Sequence, residues 1–180
     1  ISVDTYHAVT ARAAVEAGAH IVNDISGGAD PAMLDLIAAS GVGVCLMHMQ
    51  GTPETMQNRP SYDDVIADVA GFLQQRVQAC IAAGILPEQI AIDPGFGFGK
   101  TLEHNLMLLR HLQQIRVAQH PVLVGLSRKS MLGKITGRRV EDREAASVVA
   151  AVLAAQNGAD VIRVHDVAKT HDGLQVLKHV

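Results

Sequence analysis

Hydrophobic and polar positions along the chain alternate between two patterns. Short runs rich in Val, Ile and Leu are followed by longer Ala-rich stretches with apolar positions at helical spacing, and Gly or Pro separates most of them. The short runs are typical of strands buried in a parallel sheet, and the longer stretches are typical of helices packed on it. The pattern predicts about six strand–helix units, which places the chain in the α/β class.

The boundaries follow from the Gly, Pro and Asp residues that interrupt these patterns. Ser61 is the expected N-cap of the third helix, and Lys129 is expected just inside a helix that starts near Ser127. The predicted strands are residues 1–3, 20–22, 42–47, 90–92, 122–124 and 161–164. The predicted helices are residues 7–18, 31–40, 62–83 and 102–117, then a helical patch, an Ala/Val helix and a closing helix to residue 180. We expect one domain over residues 1–180.

Polar side chains follow every predicted strand, and this feature separates two possible architectures. In an open doubly wound sheet only the strands at the switch point meet a ligand, whereas in a (β/α)₈ barrel all strand ends surround one mouth. The groups at the six strand ends are Asp4, Asn23, His48, Asp93, Ser127 with Lys129, and Arg163 with His165. The pattern therefore favours a TIM barrel, here incomplete because six units are two short of eight.

The stretch from residue 90 to residue 100 carries the most distinctive chemistry. A buried strand ends in Asp93, and Pro94, three alternating glycines and Lys100 follow. A P-loop would need Gly at position 94, and the dinucleotide fingerprint would need a third Gly where Lys100 or Leu102 stands, so neither motif is met. A plain Gly-rich turn remains the alternative, but a carboxylate at the strand end favours a ligand-binding loop.

Two groups of side chains at the strand ends suit two different kinds of ligand. Asp4, Asn23 and Asp93, with Met47 and Ile25, are expected to line a deep pocket that could hold a flat heterocycle bearing amino and ring N–H groups. The alternative is that Asp4 caps the helix that follows it and that Asn23 folds a turn.

The second group is cationic. Lys129 near a helix N-terminus, with Arg163 and His165 on one side of the last strand, suits a diphosphate. A solvated surface charge is the alternative for Arg163.

Composition narrows the function classes further. A net charge of −3 gives no reason to expect nucleic acid or an acidic membrane surface as partner, and no apolar run is long enough for a membrane helix. Cys45 and Cys80 lack CxxC spacing, so we expect reduced core thiols in a cytoplasmic protein. No HExxH, Cys/His ligand set or Gly-x-Ser-x-Gly motif is present, so zinc hydrolysis and acyl transfer are not favoured. Because the chain starts inside a strand, we expect it to be part of a longer one.

Six motifs in order and spacing resemble the dihydropteroate synthase family over essentially the whole chain. They are residues 2–5 (Ser-Val-Asp-Thr), 23–27 (Asn-Asp-Ile-Ser-Gly), 47–51 (Met-His-Met-Gln-Gly), 93–100 (Asp-Pro-Gly-Phe-Gly-Phe-Gly-Lys), 127–130 (Ser-Arg-Lys-Ser) and 163–166 (Arg-Val-His-Asp). The resemblance implies a (β/α)₈ barrel of folate biosynthesis that joins 6-hydroxymethyl-7,8-dihydropterin diphosphate to 4-aminobenzoate and releases diphosphate. It also implies a sulfonamide target.

The resemblance assigns roles to individual residues. It implies that Asp93, Lys129, Arg163 and His165 are the catalytic residues, the last two at the diphosphate. The substrate-binding residues that it implies are Asp4, Asn23, Ile25, Met47, Pro53, Asp93, Gly97, Phe98, Gly125, Lys129, Ser130, Arg163 and His165. Among these, Phe98 and Ser130, with Pro53 nearby, would lie at the aminobenzoate.

The resemblance also implies features that these residues do not supply. Family members carry two further strand–helix units at the front, with an Asn that helps bind Mg²⁺ and a mobile Thr/Arg loop at the aminobenzoate site. We therefore expect Mg²⁺ as cofactor without a protein ligand in this chain, impaired catalysis, and a homodimer. A pterin-binding methyltransferase module and a non-catalytic pterin-binding barrel remain the alternatives.

Overall fold

The computed structural model describes residues 1–180 as six parallel strands, each followed by at least one helix. The strands are β1 (Ser2–Asp4), β2 (Ile21–Asp24), β3 (Gly43–Met47), β4 (Ile90–Asp93), β5 (Leu123–Val124) and β6 (Val161–Ile162). The helices are α1 (Ala8–Glu16), α2 (Pro31–Ser40), α3 (Val65–Ala82), α4 (Leu102–Arg110), α5 (Ser130–Thr136), α6 (Glu144–Gln156) and α7 (Val167–Lys178). No helix is both long and apolar enough to cross a membrane.

The strands lie side by side in chain order. β1 to β4 form one continuous parallel sheet, and β5 and β6 form a second parallel pair. An isolated bridge between Ile92 and Val122 joins the two groups, and the Ile92 N–H donates to the Pro121 carbonyl at 2.9 Å. The six strands therefore follow one another around a common axis or across a common plane.

A contact between the first and last strands decides between these two geometries. Arg163, directly after β6, places its Nη1 2.7 Å from Oδ2 of Asp4, the last residue of β1. In a flat six-stranded sheet the first and last strands would be roughly 24 Å apart, at about 4.8 Å per strand spacing. The sheet therefore curves back on itself as a barrel does, and the expectation of an incomplete TIM barrel is confirmed.

Alternate residues of each strand face two different environments. Val22, Leu46 and Ile92 point outward and belong to a 29-residue apolar core that packs the sheet against the helices. Their neighbours Asn23 and Met47 point to the other face, toward the barrel axis, because side chains alternate along a strand. This alternation places Val22, Leu46 and Ile92 under the helices and Asn23 and Met47 inside the barrel.

Three predicted helix boundaries are wrong. The third helix begins at Val65 with Asp64 as its N-cap, whose Oδ1 accepts from the N–H groups of Ile66 and Ala67, whereas Ser61 hydrogen-bonds the side chain of Gln50. The helix predicted over 102–117 ends at Arg110, and a 3₁₀ turn over Leu112–Ile115 buries its two apolar ends.

The third error concerns Lys129. It lies at the N-cap of the seven-residue α5 with extended backbone (φ −63°, ψ 155°), after Arg128 in the left-handed region (φ 60°). The expected helix start near Ser127 is therefore wrong. A helix of seven residues is too short to create an anion site at its N-terminus. An anion bound here would therefore have to be held by side chains.

Candidate active site

The buried end of the barrel mouth contains an amide without partners. Asn23, the third residue of β2, is 2% exposed, yet neither its Nδ2 nor its Oδ1 has a hydrogen-bond partner. Buried polar groups in folded proteins are nearly always paired, because an unpaired one costs about 1–3 kcal/mol. Asn23 therefore offers one donor group and one acceptor to a ligand that enters the mouth.

Asp93 at the end of β4 faces the same interior. Its side chain is 3% exposed, and its Oδ1 accepts from the Gly95 N–H at 2.7 Å. Burial raises the pKa of Asp93, while Lys129, the Gly95 N–H, Arg163 and Lys100 act in the opposite direction. The site thus holds a desolvated carboxyl group surrounded by cations.

Glycines allow the loop after Asp93 to press against the loop after β3. A Cβ on Gly95 would lie 1.9 Å from the carbonyl oxygen of His48, and one on Gly99 would lie 2.7 Å from that of Gln50. Both glycines also have positive φ, at 69° and 62°. No other residue type fits, so the Gly-rich sequence serves close backbone contact.

Lys100 holds these two loops together, and sequence reasoning missed it. Its side chain is buried; Nζ lies 2.9 Å from His48 Nδ1 and donates to the Phe98 carbonyl at 2.9 Å. Burial lowers the pKa of Lys100 to about 7, and burial together with Lys100 lowers the pKa of His48 to about 3. The available signal was the pair of titratable residues after adjacent strands, His48 and Lys100.

Lys129 interacts electrostatically with Asp93 and lies beside an aromatic ring. Its Nζ donates to the Phe96 carbonyl and lies 4.7 Å from the centroid of the Phe98 ring, close enough for a cation–π contact. Burial lowers the pKa of Lys129 to about 8, although Asp93 favours its charged form. The side chain can therefore donate to a ligand placed between Asp93 and Phe98.

The other end of the mouth forms a cationic cavity of about 220 Å³. Its lining residues are Gly125, Ser127, Lys129, Arg163, Val164 and His165. A Cβ on Gly125 would lie in van der Waals contact with Arg163 Nε, at 3.4 Å, so this backbone position lies directly beside the guanidinium. His165 Nδ1 lies 2.8 Å from the Ser127 hydroxyl oxygen. The cavity suits a small polyanion.

The alternatives left open for Asp4 and Asn23 are now settled. The N-cap of α1 is His7, so Asp4 caps no helix. The turn after β2 is folded by Asp24, which accepts from the N–H groups of Ser26 at 2.8 Å and Gly28 at 2.9 Å, so Asn23 folds no turn. Neither residue therefore has the local role that was its alternative.

The expected deep pocket is only partly correct. The Asp4 side chain is 59% exposed and lies at the rim, paired with Arg163. Ile25 and Pro53 line a cavity of about 420 Å³ beside Met49 and Phe72. Asn23 and Met47 are buried in the interior, Gly97 lies against Lys129, and Ser130 is exposed at the start of α5.

Known proteins resemble almost the whole of this chain. The family model described as pterin binding enzyme matches residues 1–165. The dihydropteroate synthase of Escherichia coli K12 is 46% identical over 178 residues, covering 99% of this chain and 63% of that protein. The chain thus spans less than two thirds of the length of this curated relative.

Solved structures give the same result. The Yersinia pestis dihydropteroate synthase in a sulfonamide drug complex matches with a TM-score of 0.95 at 45% identity, covering 99% of this chain and 65% of that one. The Burkholderia cenocepacia dihydropteroate synthase complexed with 7,8-dihydropteroate matches with a TM-score of 0.93 at 46% identity, covering 99% and 66%. The fold and the six motifs therefore agree with the same group of proteins.

Proposed function

The chain belongs to the pterin-binding enzyme family, and from that premise we propose that it carries the dihydropteroate synthase site. The reaction joins 6-hydroxymethyl-7,8-dihydropterin diphosphate to 4-aminobenzoate, giving 7,8-dihydropteroate and diphosphate. This makes the protein a transferase of a pterinylmethyl group. The observation that carries the proposal is the buried amide of Asn23, whose donor and acceptor lack any partner in the protein.

The pterin ring supplies what this amide lacks. Its edge presents an amino group, ring N–H groups and ring acceptors, which pair with the Asn23 amide and with the Asp93 carboxylate. Lys129 donates to the opposite part of the ring, and Met47 provides an apolar surface. Asp4 at the rim completes the set of ring contacts.

The bond changes divide the work between the two ends of the mouth. The C–O bond between the pterin methylene and the diphosphate breaks first, leaving a cation spread over the pterin. Ionised Asp93 stabilises that cation, while Arg163 and His165 stabilise the departing diphosphate, so the favourable interactions grow as charge separates. The amine of 4-aminobenzoate then attacks the methylene carbon and releases a proton. No nucleophilic side chain takes part.

The second substrate needs a site beside the reacting carbon. Phe98, held against Lys129, offers a ring face for the benzoate, and Ser130 at the start of α5 offers a hydroxyl for its carboxylate. Pro53 lies on the neighbouring loop. Gly97 and Gly125 keep the approach open, because neither carries a side chain.

Mg²⁺ stays a prediction. The chain contains no cluster of three or more His, Cys, Asp or Glu side chains that could hold a metal ion. Asp4, the exposed carboxylate at the rim, is engaged by Arg163. These residues alone do not fit the ion, so we assign it no step. We also expect turnover by this chain to be low, since it spans 63% of the E. coli relative.

The homodimer is proposed on an apolar groove. The groove lies between α4, α5 and α6, has a volume of about 410 Å³ and is lined almost entirely by apolar side chains. Ile135, Val149 and Leu153 on its walls are 54%, 58% and 42% exposed. We propose that a second copy covers this face. A cytoplasmic location is proposed from the two buried free thiols, Cys45 and Cys80.

Isothermal titration tests the function. Pterin diphosphate is expected to bind the unmodified chain, and 4-aminobenzoate to bind the resulting complex. Arg163→Ala should lower the affinity for pterin diphosphate by roughly tenfold to a hundredfold, the range for losing a charge-assisted hydrogen bond.

Arg139→Ala is the matched control. Arg139 is a highly exposed arginine that pairs with Glu141 and Asp142 and does not line the cationic cavity, so its loss should leave the affinity unchanged. Absence of binding by either substrate would overturn the proposal. If pterin diphosphate bound equally well with and without the Arg163 side chain, the methyltransferase alternative would be favoured, because such a module has no diphosphate to hold.

A further inference from the structure

The geometry points to Ser127 as a positioning residue that fixes the ring tautomer of His165, so that its Nε2–H is presented to the diphosphate. This inference rests on the proposed function, because it deepens the role of the cationic cavity. Ser127 itself is buried at the cavity wall and acts through the histidine.

Two hydrogen bonds connect these residues, which are 38 positions apart. The main-chain N–H of His165 donates to the Ser127 hydroxyl oxygen at 3.3 Å, and the same oxygen lies 2.8 Å from His165 Nδ1. A main-chain N–H can only donate, so the hydroxyl accepts in the first contact. The hydroxyl hydrogen still needs an acceptor, and Nδ1 is its only partner within hydrogen-bond distance.

The direction of this second bond determines the tautomer. When the serine O–H donates to Nδ1, Nδ1 carries no proton, and the neutral ring has its proton on Nε2. In the opposite arrangement Nδ1–H would donate to Ser127, and the buried hydroxyl would keep a hydrogen without an acceptor, which is unfavourable. The Nε2–H tautomer therefore gives a hydrogen-bond partner to the Ser127 hydroxyl hydrogen, to the main-chain N–H of His165 and to Nδ1.

The exposed side of the ring is where a ligand would meet it. Nε2 makes no hydrogen bond to the protein, and His165 lines the same 220 Å³ cavity as Lys129 and Arg163. Lys129 and Arg163 already supply positive charge there. A fixed N–H donor adds a directed hydrogen bond to a phosphate oxygen, and holding the ring in place removes the cost of orienting it on binding.

Nitrogen-15 NMR of the histidine side chains tests the tautomer directly. The His165 ring signals, assigned by their loss in His165→Gln, are expected to show a bare Nδ1 and a protonated Nε2 at neutral to mildly alkaline pH. In Ser127→Ala the two tautomers should mix, and Ser127→Thr should restore the original signature. A protonated Nδ1 in the neutral ring of the unmodified chain would overturn the inference.

Binding measurements test the consequence with two probes. Affinity for inorganic diphosphate should fall about threefold to tenfold in Ser127→Ala, the size of one directed hydrogen bond. Affinity for 6-hydroxymethylpterin without phosphates should not change, whereas general damage to the fold would weaken both probes. Ser127→Thr should recover the diphosphate affinity.

A double-mutant cycle separates action through the histidine from direct contact. Once His165→Ala has removed the ring, adding Ser127→Ala should cost nothing further. Full additivity, or unchanged diphosphate affinity in Ser127→Ala, would overturn the role of Ser127 and leave the proposed function standing. If the unmodified chain binds neither probe, the proposed function itself fails, and the inference fails with it.

Discussion

The two ends of the barrel mouth differ in their contact with water. At the end proposed for the ring, Asn23, Asp93 and Lys100 are each less than 5% exposed. At the end proposed for the diphosphate, the side chain of Arg163 is 40% exposed. Burying a polar or charged group is costly unless it is paired, so the ring end, here called the dry end, has to be organised before the ligand binds. The diphosphate end, here called the wet end, can exchange protein contacts for contacts with water at little cost.

The scaffold shows the same difference. The dry end rests on β1 to β4, four strands of three to five residues with continuous pairing. The wet end rests on β5 and β6, which have two residues each and join the sheet through one bridge. Arg128 compensates by pairing with Asp166 at 3.2 Å. Ring recognition is therefore built into the backbone, whereas anion recognition depends on side chains.

The largest expected effect lies at the dry end. Asp93→Asn keeps an oxygen for the Gly95 N–H but removes the carboxylate, so pterin diphosphate affinity should fall by roughly thirtyfold or more. Stability should change by less than about 1 kcal/mol, because the cost of burying the carboxylate offsets its attraction to Lys129, Arg163 and Lys100. Titration calorimetry and urea unfolding give the two values. Retained affinity would remove the distinction between the two ends.

The next effect concerns pH and Lys100. Its pKa is lowered from 10.5 to about 7 in the folded chain, so between these values the unfolded chain binds more protons. Stability should therefore rise with pH from about 7 to 9, and Lys100 should contribute on the order of 2 kcal/mol to that rise. Urea unfolding of Lys100→Met across this range should show a correspondingly smaller increase. If the free energy of unfolding rose equally with pH in Lys100→Met and in the unmodified chain, the Lys100 ammonium group would be solvated in the folded protein.

A smaller effect should separate the two ends by their response to salt. Raising the ionic strength from about 0.05 M to 0.5 M should weaken inorganic diphosphate several-fold, because exposed charges are screened at these concentrations. The affinity for unphosphorylated 6-hydroxymethylpterin should change by less than about twofold, because its partners are buried. Both are measured by calorimetry in sodium chloride. A parallel loss for the two probes would show that the ring site is also wet.

The smallest effect is expected from the ion pair at the rim. Asp4→Ala removes the partner of Arg163, but exposed pairs contribute at most about 1 kcal/mol, so the free energy of unfolding should fall by no more than that. Chemical denaturation measures it, with Asp160→Ala as a comparison at the Arg116 pair. A loss above about 2 kcal/mol would mean that this contact holds the first and last strands together.

Sequence reasoning found the residues whose position depends on local pattern. Asn23 and Asp93 end apolar runs, and parallel strands bring such ends to one edge, so their meeting followed from the alternation alone. Arg163 and His165 share a side because they are two residues apart. These features require only the period of a strand.

Sequence reasoning failed where contacts between residues distant in the chain decide where a helix begins or which side chains meet. Ser61 and Asp64 are both good N-caps, and Gln50 settles the choice by binding both the N–H and the carbonyl of Ser61. The contact of Lys100 with His48 joins residues 52 positions apart. Such contacts depend on the curvature of the sheet, which no local pattern encodes.

The separation of Asp4 from Arg163 has a consequence for synthesis. The two residues are 159 positions apart, so a ribosome adding about 5–20 residues per second needs on the order of ten to thirty seconds to supply the second after the first. The ring-facing strands β1 to β4 can assemble on the nascent chain, whereas the phosphate-facing half cannot exist until Arg163 and His165 have emerged. The diphosphate of a substrate therefore cannot help β1 to β4 to fold, because its binding site forms after them.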